Sequence, residues 1–96
     1  MRIVWLKAAR DDLRSIRRYI GRDNPAAAKR VATRIVTATA GLQKNPNLGR
    51  PGRWSETREL VIPGSRYILP YRLRGQTIEI LRVLHGAQDW PDLPID

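Results

Sequence analysis

The chain has 96 residues, 42% of them hydrophobic, which supports one folded domain with a single core and argues against disorder. With no cysteine and one histidine, neither a disulfide framework nor a thiolate or His-rich metal site is expected, and no cofactor is implied. Fifteen of the eighteen cations are arginine and the net charge is +9, so the expected partner is nucleic acid, a machine that holds nucleic acid, or a strongly acidic protein.

Residues 2–6 read as a short strand with Ile3 and Trp5 on one face. The run is too short for a signal-peptide core or a spanning helix, so a soluble, cytoplasmic protein without a membrane partner is expected. Residues 8–20 have helical spacing: Ala9, Leu13, Ile16 and Ile20 form a stripe that Tyr19 borders. Asp11 and Asp12 are expected in the first turn, where the helix dipole favours negative charge, with Arg17 and Arg18 near the end and Gly21 as the stop. Asn24-Pro25 then starts a second helix, Asn as cap and Pro at the first helical position. Its stripe is Ala28, Val31, Ala32, Ile35, Ala38, Thr39 and Leu42, and Asn45-Pro46 ends it. Two helices with a short joint make an antiparallel hairpin.

Residues 45–55 read as a loop rich in proline and glycine, made basic by Arg50 and Arg53 and carrying Trp54. Strands are expected at 57–62, 66–73 and 77–84, separated by turns at Pro63-Gly64 and Gly75-Gln76. Pro70 interrupts the middle strand and cannot donate to a ladder, which places it at an edge, a bulge or an unpaired position. The last apolar run, Ile78 to Trp90, carries most of the chemistry. It holds Arg82 and ends at His85, after which Gly86 breaks the strand and Gln88, Asp89 and Trp90 follow. The expected architecture is α+β in the order β-α-α-β-β-β. The helical hairpin packs on one face of a twisted, mainly antiparallel sheet, and a single domain covers 1–96.

The ordered set of short motifs resembles the RelE/ParE superfamily of toxins from type II toxin–antitoxin modules, closest to its ParE-like branch. The set runs Ala9, Asp12, Leu13; Tyr19-Ile20; Asn24-Pro25; Pro46; Gly49-Arg50-Pro51-Gly52-Arg53; Thr57-Arg58-Glu59-Leu60; Tyr67-Ile68; Tyr71-Arg72; and Leu81 to Gly86. The resemblance implies a toxin neutralised by a cognate ParD-like antitoxin in a hetero-oligomer. RelE-like members cleave messenger RNA on the ribosome, whereas ParE-like members inhibit DNA gyrase, block replication and growth, and stabilise plasmids.

Cleavage through the RNA 2′-hydroxyl needs a base, an acid and cations on the phosphate. The superfamily's nucleases supply a basic pair on the second strand, an Arg after the third-strand Tyr, and a basic residue plus Tyr near the carboxyl end. Here Arg58 is followed by Glu59, Tyr67 by Ile68 and His85 by Gly86. The expectation is therefore gyrase inhibition with no catalytic residue assigned. The alternative, a ribosome-dependent mRNA endonuclease, would draw on Glu56, Arg58, Glu59, Arg82 and His85. Target contacts are expected from Arg58, Arg66, Arg72, Arg82, His85, Gln88 and Trp90, the four arginines forming a basic surface on the helix-free side of the sheet. In an unbroken strand Arg82 and His85 face opposite sides, and they converge only if the chain bulges. A third reading makes the hairpin a nucleic-acid-binding module. It lacks the Asn, Gln and Arg grouping of a recognition helix, so Arg14, Arg17, Arg18, Arg22, Arg30 and Arg34 read as a solvated face.

Overall fold

The computed structural model describes residues 1–92. Strand β1 (Arg2–Trp5) leads into helix α1 (Lys7–Gly21), and helix α2 (Pro25–Ala40) runs into a 3-10 turn at Gly41–Gln43. Strands β2 (Arg50–Pro51), β3 (Arg58–Val61), β4 (Tyr67–Arg74), β5 (Thr77–Ile80) and β6 (Leu84–His85) complete the described chain. The sheet order is β1-β5-β4-β3-β2, with β6 also paired to β4. Among the described strands only β1 and β5 run parallel; the other pairings are antiparallel. This is the expected α+β arrangement.

The hairpin forms for the expected reasons, with differences at α1. The Asn24 side chain accepts a hydrogen bond from the Ala27 N–H at 3.0 Å, and Pro25 opens α2. Gly21 is the last residue of α1 instead of the stop beyond it. The helix begins at Lys7, so Asp11 and Asp12 fall beyond the first turn and do not serve the dipole there. Asp11 pairs with Lys7 at 2.8 Å, and that hydrogen bond, aided by the charges of Lys7, Arg14 and Arg10, holds its carboxyl below the ordinary range against the opposing effect of burial. Asp12 has a structural use described below.

The core lies between the hairpin and the sheet. Ala9, Ile35 and Leu42 meet Leu60, Ile62, Leu69, Tyr71, Ile78, Ile80 and Val83, with Ile3, Trp5, Leu13, Ile16 and Val31 packed around them. Period-two alternation puts Leu60, Leu69 and Ile80 on this face. Truncating one of the fully buried aliphatics to alanine costs about 2–5 kcal/mol.

The expected strand at 77–84 is split, and the split accounts for Pro70. Tyr71 pairs with Ile80, and the ladder resumes at Ile68 and Leu84. Between these pairs Leu69 and Pro70 oppose Leu81, Arg82 and Val83, an extra residue that makes a bulge. The Pro70 carbonyl accepts from the Leu81 N–H at 2.9 Å, so its missing donor faces the bulge, where no ladder partner is left unsatisfied. The bulge also resets the alternation. His85 comes to lie opposite Tyr67 on the helix side, the same side as Ile80.

Candidate functional site

Residues 45–57 are fastened to the sheet by many of the side chains that carry the family pattern. The Tyr71 hydroxyl accepts from the Gly49 N–H at 2.8 Å and donates to the Pro46 carbonyl at 2.7 Å. A side chain at Gly49 would put its Cβ 2.7 Å from the Tyr71 ring, so glycine permits the approach. Arg58 donates to the carbonyls of Gly49 and Asn47 at 2.7 and 3.3 Å. Part of the expected loop is thereby strand: Arg50 and Pro51 pair with Glu59 and Arg58.

Glu59 is the centre of this fastening. Its residue is 4% exposed, and its carboxylate accepts from the Arg53 N–H at 2.8 Å and pairs with Arg50 at 3.3 Å and Arg53 at 3.4 Å. The Arg53 guanidinium also lies 3.5 Å from the centroid of the Trp90 ring. Trp90 packs on Trp54 with centroids 5.4 Å apart, and the Trp54 indole donates to the Pro91 carbonyl at 3.0 Å. Trp54 is therefore an anchor, buried in what the sequence shows only as a polar loop.

The end of the last apolar run forms a self-bonded turn. The His85 Nδ1 accepts from the Ala87 N–H at 3.1 Å, the Gln88 side chain accepts from the His85 N–H at 2.7 Å, and the Trp90 indole donates to the His85 carbonyl at 3.2 Å. The His85 ring meets the Tyr67 ring edge-on at 5.5 Å. Burial, with a smaller contribution from Tyr19, pushes the Tyr67 hydroxyl above its usual 10.0.

The four arginines expected to share one basic surface are divided: Arg58 and Arg72 border one hollow and Arg66 another. Arg82 turns towards α1, where Asp12 accepts from Nε at 2.7 Å and Nη2 at 3.0 Å and also takes the Val83 N–H at 2.9 Å. Arg72 pairs with Glu79 at 2.6 Å across β4 and β5. Arg58 serves the loop carbonyls, and Arg66 is exposed just before β4. The physical reason is pairing: these strands carry their own carboxylates and loop carbonyls, which sequence alone does not bring opposite the cations.

The nuclease candidates are also distributed. Glu56, Arg58 and Arg72 border a hollow of about 300 Å³ with Thr57. His85, Arg50, Arg66 and Tyr67 border another of about 360 Å³, and the two hollows share no residue. Glu56 is exposed and holds a left-handed φ of 58°. Among the described residues no group of three His, Cys, Asp or Glu side chains could hold a metal ion. Sequence reading missed Asp12 as the seat of Arg82 and Tyr67 as the neighbour of His85; the spacing of the motifs held no sign of either contact. No described helix is long and apolar enough to cross a membrane.

The family described as the ParE toxin of the type II toxin–antitoxin system parDE matches residues 3–90. The chain is 47% identical over 92 residues to the Y4kP protein of Sinorhizobium fredii, covering 96% of this chain and 95% of that one. It is 37% identical over 86 residues to toxin RelE2 of Caulobacter vibrioides, covering 90% and 96% respectively. A solved structure of the chromosomal ParDE toxin–antitoxin system from P. aeruginosa superposes with a TM-score of 0.83 at 28% identity, covering 88% of this chain and 95% of that one.

Proposed function

The chain belongs to the ParE toxin family of type II toxin–antitoxin systems, and from that premise we propose that, once released from a ParD-like antitoxin, it inhibits DNA gyrase by binding and does not cleave RNA. The observation that carries this reading is the internal use of the residues a ribonuclease would need. Glu59 is buried under Arg50 and Arg53, and Arg58 and Arg82 are committed to loop carbonyls and to Asp12. Glu56 and His85, the candidate base and acid, border hollows with no residue in common. Losing one such transition-state contact commonly costs about 10²–10³ in rate. The exposed members of the expected target set, Arg66 and Gln88, with half-buried His85 and Trp90, then serve contact.

For the antitoxin, a groove of about 940 Å³ runs along α2 beside the β3–β4 turn. Ala38 and Pro63 contribute to its largely apolar lining, and Lys29, Arg30 and Arg34 stand on it as cations. An acidic segment with apolar anchors complements both features, and the buried anchors offset the cost of ordering a disordered chain. Arg34 also donates to the Gly64 carbonyl at 2.8 Å, fixing the turn that walls the groove.

The test is a supercoiling assay with purified gyrase run beside ribosome-programmed mRNA cleavage. Inhibited supercoiling with intact mRNA is expected. Untouched supercoiling with cut mRNA, abolished by His85→Ala or Arg82→Ala in a folded protein, would replace the gyrase reading with the nuclease one.

A further inference from the structure

The charge of this chain is unevenly placed. Residues 1–40, which form β1 and the hairpin, hold ten Lys or Arg against three Asp, a net +7. Residues 41–96 hold eight against six, a net +2. The cations of the sheet half are largely paired, as Arg50, Arg53, Arg72 and Arg74 are with Glu59 and Glu79. Fewer of the hairpin cations are: among the described residues, Arg17, Arg18 and Lys29 have no carboxylate within ion-pair distance, and Lys7 and Arg14 share the single carboxylate of Asp11.

Four of these cations converge. Arg14, Arg17, Arg18 and Lys29 border one hollow of about 370 Å³ at the joint of α1 and α2, with Gly21, Pro25 and Ala28 completing its lining. No carboxylate lines it. Arg14 stands three and four residues before Arg17 and Arg18, a spacing at which like charges destabilise a helix. The fold derives no packing from this repulsion, since all four side chains are exposed.

We propose that this hollow binds the phosphodiester backbone of duplex DNA, without reading its sequence. Three arginines offer planar forks to phosphate oxygens, and Lys29 adds a point charge. The lining separates this occupant from an acidic protein segment. Four of its seven lining residues are cations, against three of nine in the much larger groove along α2, so an amphipathic peptide would bury less apolar surface there. The lining contains no aromatic ring, so the stacking that holds single-stranded bases is missing. Phosphate needs neither. The inference goes beyond the gyrase reading and does not depend on it: the toxin would hold DNA itself, whatever protein it inhibits.

The experiment is fluorescence anisotropy of a short labelled duplex of arbitrary sequence, titrated with the free full-length toxin over a range of salt concentrations. Four phosphate contacts predict a slope of log K against log salt of about −3 to −4. The triple variant Arg14→Gln, Arg17→Gln, Arg18→Gln should bind at least about tenfold more weakly, with a slope near −1. A control triple, Arg2→Gln, Lys44→Gln, Arg74→Gln, removes the same charge outside the hollow and should keep the wild-type slope. Equal losses in the two triples would overturn the proposal, because net charge alone would then explain binding. So would tighter binding of a single strand, or displacement of the duplex by a polyglutamate peptide at equal charge concentration. Circular dichroism confirms that each variant is folded, and the supercoiling assay scores the gyrase reading separately.

Discussion

Asp12 holds Arg82 by two parallel hydrogen bonds, 2.7 and 3.0 Å long, across 70 residues of chain. The same carboxylate takes the Val83 N–H, so one side chain of α1 secures both the guanidinium and the backbone of the bulge. Geometry of this kind is the strong form of an ion pair. The two side chains are only 17% and 23% exposed, so water screens the pair weakly. Asp12→Ala leaves a half-buried cation and an N–H without this partner, and a loss of about 2–4 kcal/mol is expected. Urea unfolding should show a lower midpoint at unchanged slope. A loss under about 0.5 kcal/mol, the level of an ordinary surface change, would contradict this account.

Glu59 offers a test that separates scaffold from catalyst. Glu59→Gln keeps the shape but removes the charge that Arg50 and Arg53 meet. A destabilisation of about 1–3 kcal/mol is expected, with a red shift of tryptophan emission as the Arg53–Trp90–Trp54 stack loosens. Gyrase inhibition by the protein that remains folded should persist. Full stability together with a complete loss of RNA cleavage would instead make Glu59 a base.

The elements were legible where one local rule decides them. Asn24-Pro25 marks the start of α2, and Pro63-Gly64 and Gly75-Gln76 mark turns in which each glycine takes a positive φ, 71° and 57°. Pro70 announced an irregularity, and it lies opposite the bulge. The placement of the arginines was not legible, because it depends on pairing between distant segments. Arg82 reaches Asp12 only after the bulge has turned it towards α1, and Arg72 meets Glu79 only in the observed β4–β5 register. Arg58 and Glu59 read as candidate functional residues, yet their contacts, with those of Gly49, hold a loop in place.

Two substitutions in that loop should act in opposite directions. At Gly49 a Cβ would sit 2.7 Å from the Tyr71 ring and 3.0 Å from the Glu59 backbone, a collision that needs backbone movement. Gly49→Ala should destabilise by about 1–3 kcal/mol through overpacking. Glu56 holds φ at 58° without being glycine, a conformation costing about 1–2 kcal/mol for a side chain with a Cβ. Glu56→Gly relieves that cost but gives the unfolded chain more freedom, for a net gain of up to about 1 kcal/mol. Thermal melts of the pair against wild type decide it; the same sign for both would refute the geometric explanation.

Tyr71 links the loop to pH. Its hydroxyl donates to the Pro46 carbonyl and accepts from the Gly49 N–H, and the residue is fully buried. Burial pushes its ionisation above the usual 10.0, opposed in part by the Gly49 N–H and the Arg58 charge. Since the folded value lies above the unfolded one, the protonated phenol's contribution is complete below about pH 10 and is lost as pH rises through the elevated folded value. A phenolate also cannot donate to Pro46. Tyr71→Phe removes both hydrogen bonds and should cost about 1–3 kcal/mol at neutral pH. Its stability should then fall less steeply than that of wild type under alkaline conditions, with Tyr67 supplying the remaining slope. Urea midpoints across the alkaline range, with phenolate absorbance followed in parallel, provide the measurement. Wild-type and Tyr71→Phe profiles that stay parallel through that range would show that Tyr71 ionisation is not linked to folding.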